Sequence, residues 1–348
     1  MEGLALAYFT LAPGARDRSP HMLYLPHPYR GYQLTPNITS EDGWYSHNAH
    51  AFRGREVAVA KPPATVRVVC LGGSTTYCTG ATTDSRTYPA QMERMLRAHY
   101  AAASFTIEVI NAGHPAYTSL DSLVFLETRL LDFSPDVAVF HHGLNDIWEG
   151  THIPGFQSDY THARHTFGPL EVRPWEYSPL LTLLFGKKTS PFNPYAPNRR
   201  VDLVRLTHHP TDDPSQLDRA ASRERLRRCI ETLERNTASF LALARGHGIV
   251  PVLSTMVSHE TDTLYDETLA VWNERVRALA AREHVAMVDF AKTMPWNPQS
   301  FYDKIHLRDR PDGLQRKAEI FAAVLIGERV IERAAERLKS APTASPPR

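Results

Sequence analysis

The 348-residue sequence has little cysteine, no long apolar segment and almost no net charge. Its three cysteines, Cys70, Cys78 and Cys229, cannot form a disulfide framework, and their spacing is not that of a zinc site. Lysine and arginine total 39, aspartate and glutamate 38, and the formal charge is +1, so no nucleic-acid or anionic-membrane partner is indicated. The absence of a long apolar run argues against a membrane span.

The first residues do not have the features of a secretion signal. Residues 1–13 are mildly apolar, but they lack a basic region and a convincing cleavage site. The sequence as given therefore predicts a cytoplasmic protein. A periplasmic or membrane-associated location would follow if these residues were the trimmed end of an anchor. No feature of the sequence indicates an oligomeric state.

Composition divides the chain into a main domain and three additional segments. Residues 1–64 are rich in turn formers and aromatic residues, and we expect an irregular arm that packs on the main domain. The main domain spans 65–340. Prolines are dense between 150 and 220, which predicts an insertion or lid. The proline- and serine-rich end, 341–348, predicts a disordered tail.

Strand and helix patterns alternate through the main domain. Apolar runs predict the strands, and apolar residues at helical spacing predict the helices between them. The predicted strands lie near 66–71, 105–110, 136–141, 249–255 and 285–289, and the predicted helices near 87–100, 120–131, 222–246, 266–282 and 311–338. Such alternation predicts an α/β fold with a parallel sheet and helices on both faces.

The first predicted strand leads directly into two glycines and a serine. Residues 66–71 are mostly β-branched or apolar, which suits a central strand covered on both faces. Gly72 and Gly73 permit a tight turn, so Ser74 is expected at the carboxyl end of the strand, where open α/β sheets bind ligands. Taken alone, a capping serine explains the stretch equally well. A phosphate-binding loop is disfavoured because no Gly-Lys-Ser/Thr follows, and a lipase-type nucleophile elbow because Thr76 replaces its glycine.

Polar residues at later strand ends complete a possible catalytic set. Asp303 and His306 lie three residues apart, close enough for one turn to hold both. A carboxylate orients an imidazole and stabilises its charged form, and the imidazole accepts the proton of a serine hydroxyl. The oxyanion formed on an attacked ester needs hydrogen-bond donors. We expect the backbone N–H of Ser74, the N–H of Gly113 and the side-chain amide of Asn145 to supply them.

These residues resemble the sequence blocks of the SGNH/GDSL hydrolases. Residues 72–74 match the first block, with Gly73 where the GDS form has aspartate, and 111–113, 143–146 and 303–306 match the second, third and fifth. The resemblance covers roughly 64–335, apart from the predicted insertion. It implies a three-layer α/β/α sandwich, similar to flavodoxin, around a central parallel sheet of about five strands. The His-Pro-Tyr-x-Gly-Tyr and Phe-Arg-Gly stretches of the arm also resemble sequences that precede this domain in bacterial members.

Five further residues have weaker interpretations. Asp146 is expected to anchor its loop by hydrogen bonds rather than to react. His141 and His142 suggest a metal site, but neighbours on a strand point to opposite faces and no familiar ligand spacing is present, so no metal is expected. Trp148 and His114 are candidate substrate-pocket residues, although core packing explains Trp148 equally well.

Three functions are consistent with the sequence. The first is hydrolysis of a carboxylic ester of a small molecule, lipid or carbohydrate through an acyl-enzyme on Ser74, with no metal or organic cofactor. The second is transfer of an acetyl or other acyl group to a sugar hydroxyl by the same triad. The third is a non-catalytic carbohydrate-binding relative, against which the intact set of blocks argues.

Overall fold

The computed structural model describes residues 3–4, 24–27, 29–40, 42–152, 155–161, 180, 184, 219–259 and 263–340. The tail predicted at 341–348 and most of the insertion predicted at 150–220 lie outside the described residues, so both stay predictions. Within the described part of the chain, no helix combines the length and the apolar character that crossing a membrane requires.

The N-terminal arm contains two small hairpins rather than only irregular structure. Strand β1 (Tyr24–His27) pairs antiparallel with β2 (Gly31–Leu34), and β3 (Ile38–Thr39) pairs with β4 (Ser46–His47). The arm reaches the main domain through the hydroxyl of Tyr32, which donates to the carbonyl oxygen of Pro115 at 2.5 Å.

A five-stranded parallel sheet forms the centre of the fold. Its strands are β5 (Thr65–Gly72), β6 (Thr106–Gly113), β7 (Val137–His141), β8 (Val250–Ser254) and β9 (Ala286–Val288). They lie in the order β6-β5-β7-β8-β9, and every neighbouring pair is parallel. The predicted sheet and all five predicted strands are confirmed.

Strand β5 is apolar throughout because both of its faces are covered. Val66, Val68 and Cys70 belong to one buried cluster, whereas Val69 and Leu71 belong to the cluster on the opposite face. All five side chains are fully buried. Burial on both faces therefore explains the near-continuous apolar run, as expected for a central parallel strand.

Helices cover both faces of this sheet. Their bounds are α1 (Ser74–Tyr77), α2 (Tyr88–His99), α3 (Ser119–Thr128), α4 (Leu144–His152), α5 (Arg219–Gly246), α6 (Thr263–Arg282), α7 (Phe290–Thr293), α8 (Gly313–Gly327) and α9 (Val330–Ser340). Helices α2, α8 and α9 contribute to the first buried cluster, and α3, α5 and α6 to the second. The predicted three-layer α/β/α sandwich is confirmed.

The prediction of one long last helix over 311–338 is wrong. The chain forms α8 and α9, and Arg329 between them has a left-handed backbone with a φ of 54°. The break turns the chain so that Val330 and Ile331, both fully buried, pack with the sheet cluster. Apolar residues continue through the break, so their spacing does not reveal it.

The crevice that exposes Ser74 follows from the order of the strands. After β5 the chain adds β6 on one side and then crosses to add β7 on the other side. The connections leave β5 in opposite directions, and ligands of open α/β sheets bind at such a point beyond the carboxyl ends of the strands. Ser74 follows β5 almost directly and therefore lies at this point.

Candidate active site

Ser74 is the first residue of α1, the single helical turn that follows β5, and it is partly exposed. The preceding Gly73 packs against the side chain of Asn145. A Cβ atom added to Gly73 would lie only 2.5 Å from Nδ2 of Asn145, so a glycine is needed for this approach. The position at which this sequence differs from the GDS form thus brings the amide close to Ser74.

A hydrogen-bonded chain connects the three predicted catalytic side chains. Nε2 of His306 lies 2.7 Å from Oγ of Ser74, and Nδ1 of His306 lies 2.7 Å from Oδ2 of Asp303. An ionised carboxylate only accepts hydrogen bonds, so Nδ1 carries the proton and Nε2 accepts from the serine hydroxyl. This is the tautomer in which a histidine acts as the base for a serine.

Asp303 is held as an ionised acceptor. Its Oδ1 accepts from the backbone N–H groups of Ile305 at 2.9 Å and His306 at 2.7 Å. Burial alone would raise the pKa of Asp303, but the hydrogen bonds and charge of His306 and these two N–H groups hold it below its usual value. The ring of Tyr302 stacks on that of His306, with centroids 5.6 Å apart and planes 12° apart, which restricts rotation of the imidazole.

Asn145, in the first turn of α4, presents an amide beside Ser74. Its Nδ2 donates to the carbonyl oxygen of Tyr117 at 2.8 Å. A primary amide nitrogen carries two hydrogens, so this bond fixes the orientation of the amide and leaves the second hydrogen for another acceptor. The geometry suits the oxyanion donor that the sequence predicts.

The donor expected at Gly113 does not face this site. The N–H of His114 bonds to the carbonyl oxygen of Gly72 on β5 at 3.0 Å. Successive N–H groups of a strand point to opposite sides, and the N–H of Gly113 instead bonds to Oδ1 of Asn111 at 3.1 Å. The expected oxyanion role of Gly113 is therefore wrong. Glycine is needed there for packing, because a Cβ would lie 2.2 Å from the backbone nitrogen of Tyr77.

The loop after β6 offers a different backbone donor. Ala116 is partly exposed, has a φ of 62°, and its N–H has no partner among the described residues. The next carbonyl, that of Tyr117, would lie 3.5 Å from a Cβ on Gly73, so the loop adjoins Ser74. Nothing in the sequence indicates this role of Ala116, because left-handed backbone is usually signalled by glycine or asparagine.

A small cavity of about 10 Å³, enough for about one water-sized group, lies beside Ser74 and His306. Its apolar lining is formed by Leu144, Met256, Val257, Phe290, Ile305, Leu307 and Leu314. The two predicted pocket residues are not among the described residues that line it. Trp148 packs half-buried against the second core cluster, and His114 is buried and stacked on Tyr117.

Histidines 141 and 142 point to opposite faces of the sheet, as expected of neighbours on a strand. Nδ1 of His141 lies 2.6 Å from Oγ of Ser254, and Nε2 of His142 lies 2.7 Å from Oγ of Ser122. Burial lowers the pKa of His142 to about 3. Over the described ranges, no three or more His, Cys, Asp or Glu side chains are grouped as metal ligands.

Comparison with known proteins assigns the family. The GDSL-like Lipase/Acylhydrolase family matches residues 70–310, more than half of the chain. The chain belongs to this family. No curated protein matches the sequence.

Several solved structures are similar to this GDSL-like hydrolase at low identity. A catalytic mutant of Axe2, an acetylxylan esterase from Geobacillus stearothermophilus, is 15% identical with a TM-score of 0.46, over 76% of this chain and 96% of that chain. A GDSL-like lipase from Bacteroides thetaiotaomicron VPI-5482 is 16% identical with a TM-score of 0.39, over 77% and 88%. LAE5, an alpha/beta hydrolase enzyme from the metagenome of Lake Arreo, is 16% identical with a TM-score of 0.45, over 76% and 96%.

A buried lysine supports the serine turn of this GDSL-like hydrolase from behind. Lys317 is 1% exposed, and its Nζ donates to the carbonyl oxygen of Thr75 at 3.0 Å and lies 3.0 Å from Nε2 of His141. Burial lowers the pKa of Lys317 to about 8. The lysine thus holds the carbonyl of the residue after Ser74. The sequence does not indicate this role of Lys317, because a lysine in a predicted helix normally faces solvent.

A second support comes from the N-terminal arm. Arg53, buried at the Phe-Arg-Gly stretch, donates to the carbonyl oxygens of Tyr77 at 3.2 Å and Cys78 at 2.7 Å. Its Nε donates to Oδ1 of Asp84 at 2.9 Å. Cys78 ends α1 with a φ of 68°, so Arg53 binds the carbonyls exposed where the helix stops.

Asp146 anchors the helix that carries Asn145. It is fully buried and accepts from the N–H and hydroxyl of Ser119, at 3.0 and 2.6 Å, and from the hydroxyl of Tyr160 at 2.6 Å. Burial raises the pKa of Asp146 above its usual value despite these bonds. The contacts agree with the expected anchoring role, and Tyr160 links the beginning of the predicted insertion to this helix.

Proposed function

We propose that this GDSL-like hydrolase is a serine esterase that cleaves a carboxylic ester through an acyl-enzyme on Ser74. The observation that carries the proposal is the hydrogen-bonded chain from Ser74 through His306 to Asp303, with both links 2.7 Å long. A serine hydroxyl is a weak nucleophile until a base accepts its proton, and Nε2 of His306 is in position to accept it.

The first half of the reaction forms the acyl-enzyme. Oγ of Ser74 bonds to the ester carbonyl carbon while its proton moves to Nε2 of His306, and the ionised Asp303 stabilises the resulting imidazolium. The carbonyl π electrons move to oxygen and give a tetrahedral oxyanion. Collapse of this intermediate breaks the bond to the alcohol oxygen, which takes the proton from His306.

Water completes the cycle. Nε2 of His306 accepts a proton from water as the water oxygen attacks the acyl carbon, and Ser74 leaves with that proton as the acid is released. No metal or organic cofactor takes part in this proposed scheme.

Three donors are available to the oxyanion. We assign this role to the N–H of Ser74, the second amide hydrogen of Asn145 and, in place of Gly113, the N–H of Ala116. Neither of the two backbone N–H groups has a partner among the residues that the structure describes. One such donor contributes about 3 kcal/mol to lowering the barrier.

The cavity beside Ser74 favours a short acyl group. It is mostly apolar and, at about 10 Å³, has room for little more than one water-sized group, so it suits a small hydrocarbon group better than a long or charged one. The alcohol part of the ester is left to be found by experiment.

The test is hydrolysis of p-nitrophenyl esters from acetate to long acyl chains. Ser74→Ala and His306→Ala should each lower kcat/KM by about 10³-fold or more. Ser239→Ala in α5 and His247→Ala, directly after the end of α5, change exposed residues and serve as matched controls that should retain full activity. Activity that survives Ser74→Ala would exclude Ser74 as the nucleophile.

Acyl transfer remains the alternative with the same triad. It is distinguished by adding sugar acceptors to an assay that uses an acyl donor. Hydrolysis without an acceptor supports the esterase, whereas an absolute need for an acceptor replaces it with the transferase. A protein that binds carbohydrate and shows neither activity would be the non-catalytic relative.

A further inference from the structure

A second and larger cavity lies between the N-terminal arm and the loop after β6. Its volume is about 390 Å³. Its charged or titratable lining residues, other than tyrosine, are His27, Arg30, His50, His114 and Arg129. None of the described residues that line it is acidic. The described lining of the cavity thus combines cationic and imidazole groups and contains no carboxylate.

Arg30 is a buried cation that lines this cavity. It is 4% exposed and forms no ion pair with any residue that the structure describes. Its Nη1 donates to the hydroxyl of Tyr117 at 3.2 Å and its Nη2 to Oε1 of Gln33 at 3.1 Å, both neutral acceptors. Its Nε is buried without a partner among the described residues. The guanidinium carbon also lies over the ring of Phe125, 4.2 Å from the ring centroid, but a ring face offsets less of a buried charge than a carboxylate does, so an anionic partner is expected.

Arg129 brings a second guanidinium to the cavity. Its Nη1 lies 3.4 Å from Oδ2 of Asp132, which is not part of the cavity lining. The side chain of Arg129 is 37% exposed and that of Asp132 is 59% exposed. Its Nη2 also donates to Nδ1 of His50 at 3.1 Å, so the proton of His50 is on Nε2, where the imidazole is a donor. Two guanidinium groups and an imidazole N–H therefore favour an anionic oxygen.

His114 adds a hydrogen-bond acceptor. Its Nδ1 lies 3.2 Å from the carbonyl oxygen of Ala112, so Nδ1 donates and Nε2 has a free lone pair. His114 is 1% exposed, and this Nε2 has no partner in the described part of the chain. Burial, and then the charge of Arg30, hold the pKa of His114 well below its usual value, so the ring stays neutral. A ligand that also carries an O–H group would satisfy it.

We propose that this cavity binds a small oxyanion that also carries a hydroxyl group, with Arg30 as its main ligand. Hydrogen phosphate and hydroxycarboxylates share this chemistry. The anionic oxygens would meet Arg30 and Arg129, and the hydroxyl would donate to Nε2 of His114. The site is separate from the cavity beside Ser74, and its occupancy can be measured without any turnover.

Isothermal titration calorimetry at pH 7 and constant ionic strength provides the test, with inorganic phosphate as the probe and sulfate as the comparison. Phosphate should bind with a stoichiometry of about one per chain. Sulfate lacks a proton at this pH, leaves His114 unsatisfied, and should bind at least about fivefold more weakly.

Variants distinguish the contacts to the anionic oxygens from the contact to the hydroxyl group. Arg30→Gln should abolish phosphate binding, and Arg30→Lys, which keeps the charge but loses the fork of donors, should weaken it about tenfold. His114→Phe keeps an aromatic ring on Tyr117 and should remove the preference for phosphate while sulfate still binds. Arg316→Gln is the matched control for changes at Arg129. It breaks an exposed ion pair with Glu319, which has the same three-residue spacing as the pair of Arg129 and Asp132.

If the Arg30 variants do not fold, a variant of Arg129 still tests the proposal, because Arg129 is partly exposed and its replacement is less disruptive. Arg129→Gln should weaken phosphate about fivefold, whereas Arg316→Gln should bind as the wild type does. Wild-type protein that shows no phosphate heat beyond that of chloride would overturn the proposal. Equal phosphate affinity in Arg129→Gln and the wild type would also overturn it.

Inhibition kinetics decides whether the ligand is an acidic group of the substrate or a free anion. This experiment rests on the proposed esterase function. Phosphate is added to assays with p-nitrophenyl acetate and with a p-nitrophenyl ester that ends in a hydroxycarboxylate. Competition against the acidic ester alone supports the site as one for an acidic group of the substrate. Calorimetric binding with no competition against either ester supports a free anion as the ligand.

Discussion

Two layers of polar residues meet at the carboxyl end of β5 and differ in exposure. The reactive layer consists of Ser74, Asn145 and His306, which are partly exposed, and Asp303, which is exposed. The supporting layer behind it is buried and consists of Arg53, His141, Asp146 and Lys317. The reactive layer forms a chain that ends at a nucleophile, whereas the supporting layer binds backbone groups and neighbouring side chains.

The two aspartates show what this difference does to one residue type. Asp303 is bonded to an imidazole, and its pKa lies below the usual value although burial opposes this. Asp146 is bonded to neutral donors in the interior, and burial raises its pKa. The partner and the exposure, not the residue type, therefore indicate which carboxylate assists a reaction and which one holds a helix. Four predictions test the separation of the layers.

The largest expected effect lies in the reactive layer. Asp303→Asn removes the charge that stabilises the imidazolium of His306 and should lower kcat by about 10²–10³-fold, less than the ~10⁴-fold known for a buried triad aspartate. Thermal stability should change little, as measured by calorimetry. Asp136→Asn, directly before the amino end of β7 and paired with Lys61, is the control and should leave kcat intact. Equal losses in both variants would contradict the proposed role of Asp303.

Asn145→Ala tests the oxyanion donor of the same layer. Loss of one donor should lower kcat by about 10²-fold with little change in KM, because the bond strengthens as charge develops on the oxygen. Steady-state kinetics on a short-chain ester measures both constants. Asn145→Asp keeps the shape but replaces the donor by a carboxylate, and it should be at least as inactive. An increase in KM with unchanged kcat would instead indicate a ground-state binding role.

The reactive layer was largely accessible from sequence because its side chains follow strand ends in recognisable blocks. Ser74, Asn145, Asp303 and His306 were all named, and the structure brings them together. The parallel sheet was accessible because buried strands require apolar runs. Gly113 was misassigned because a sequence block does not reveal to which side of a strand an N–H points.

The supporting layer was largely hidden from sequence. A buried lysine such as Lys317 has the same helical sequence context as an exposed lysine. An alanine such as Ala116 gives no sequence signal of a left-handed backbone. The two cavities were also hidden, since their walls come from distant segments. Asp146 is the exception, because its place beside Asn145 suggested an anchor. Residue type and spacing predicted the roles of residues within one segment, whereas the roles of buried residues depend on contacts between distant segments.

In the supporting layer, Asp146→Ala should affect stability before activity. The change leaves the N–H of Ser119 and the hydroxyl of Tyr160 without their acceptor, and the free energy of unfolding should fall by about 2–3 kcal/mol. Urea titration measures this value, and kcat of the folded variant should fall by less than about tenfold. Asp146→Asn keeps one acceptor oxygen and should lose less. A large loss of kcat with unchanged stability would move Asp146 into the reactive layer.

The smallest expected effect is the pH dependence of stability caused by Lys317. Its pKa of about 8 in the folded protein lies below the 10.5 of a free lysine, so the unfolded chain binds more protons between these values and stability rises with pH. The increment from pH 8 to pH 9 should be about 1 kcal/mol. Lys317→Met should lack it, and comparing the variant with wild type cancels titration of the buried thiols Cys70 and Cys78. Parallel stability curves for the two proteins over this range would show that Lys317 keeps its proton and that its bond to Thr75 persists.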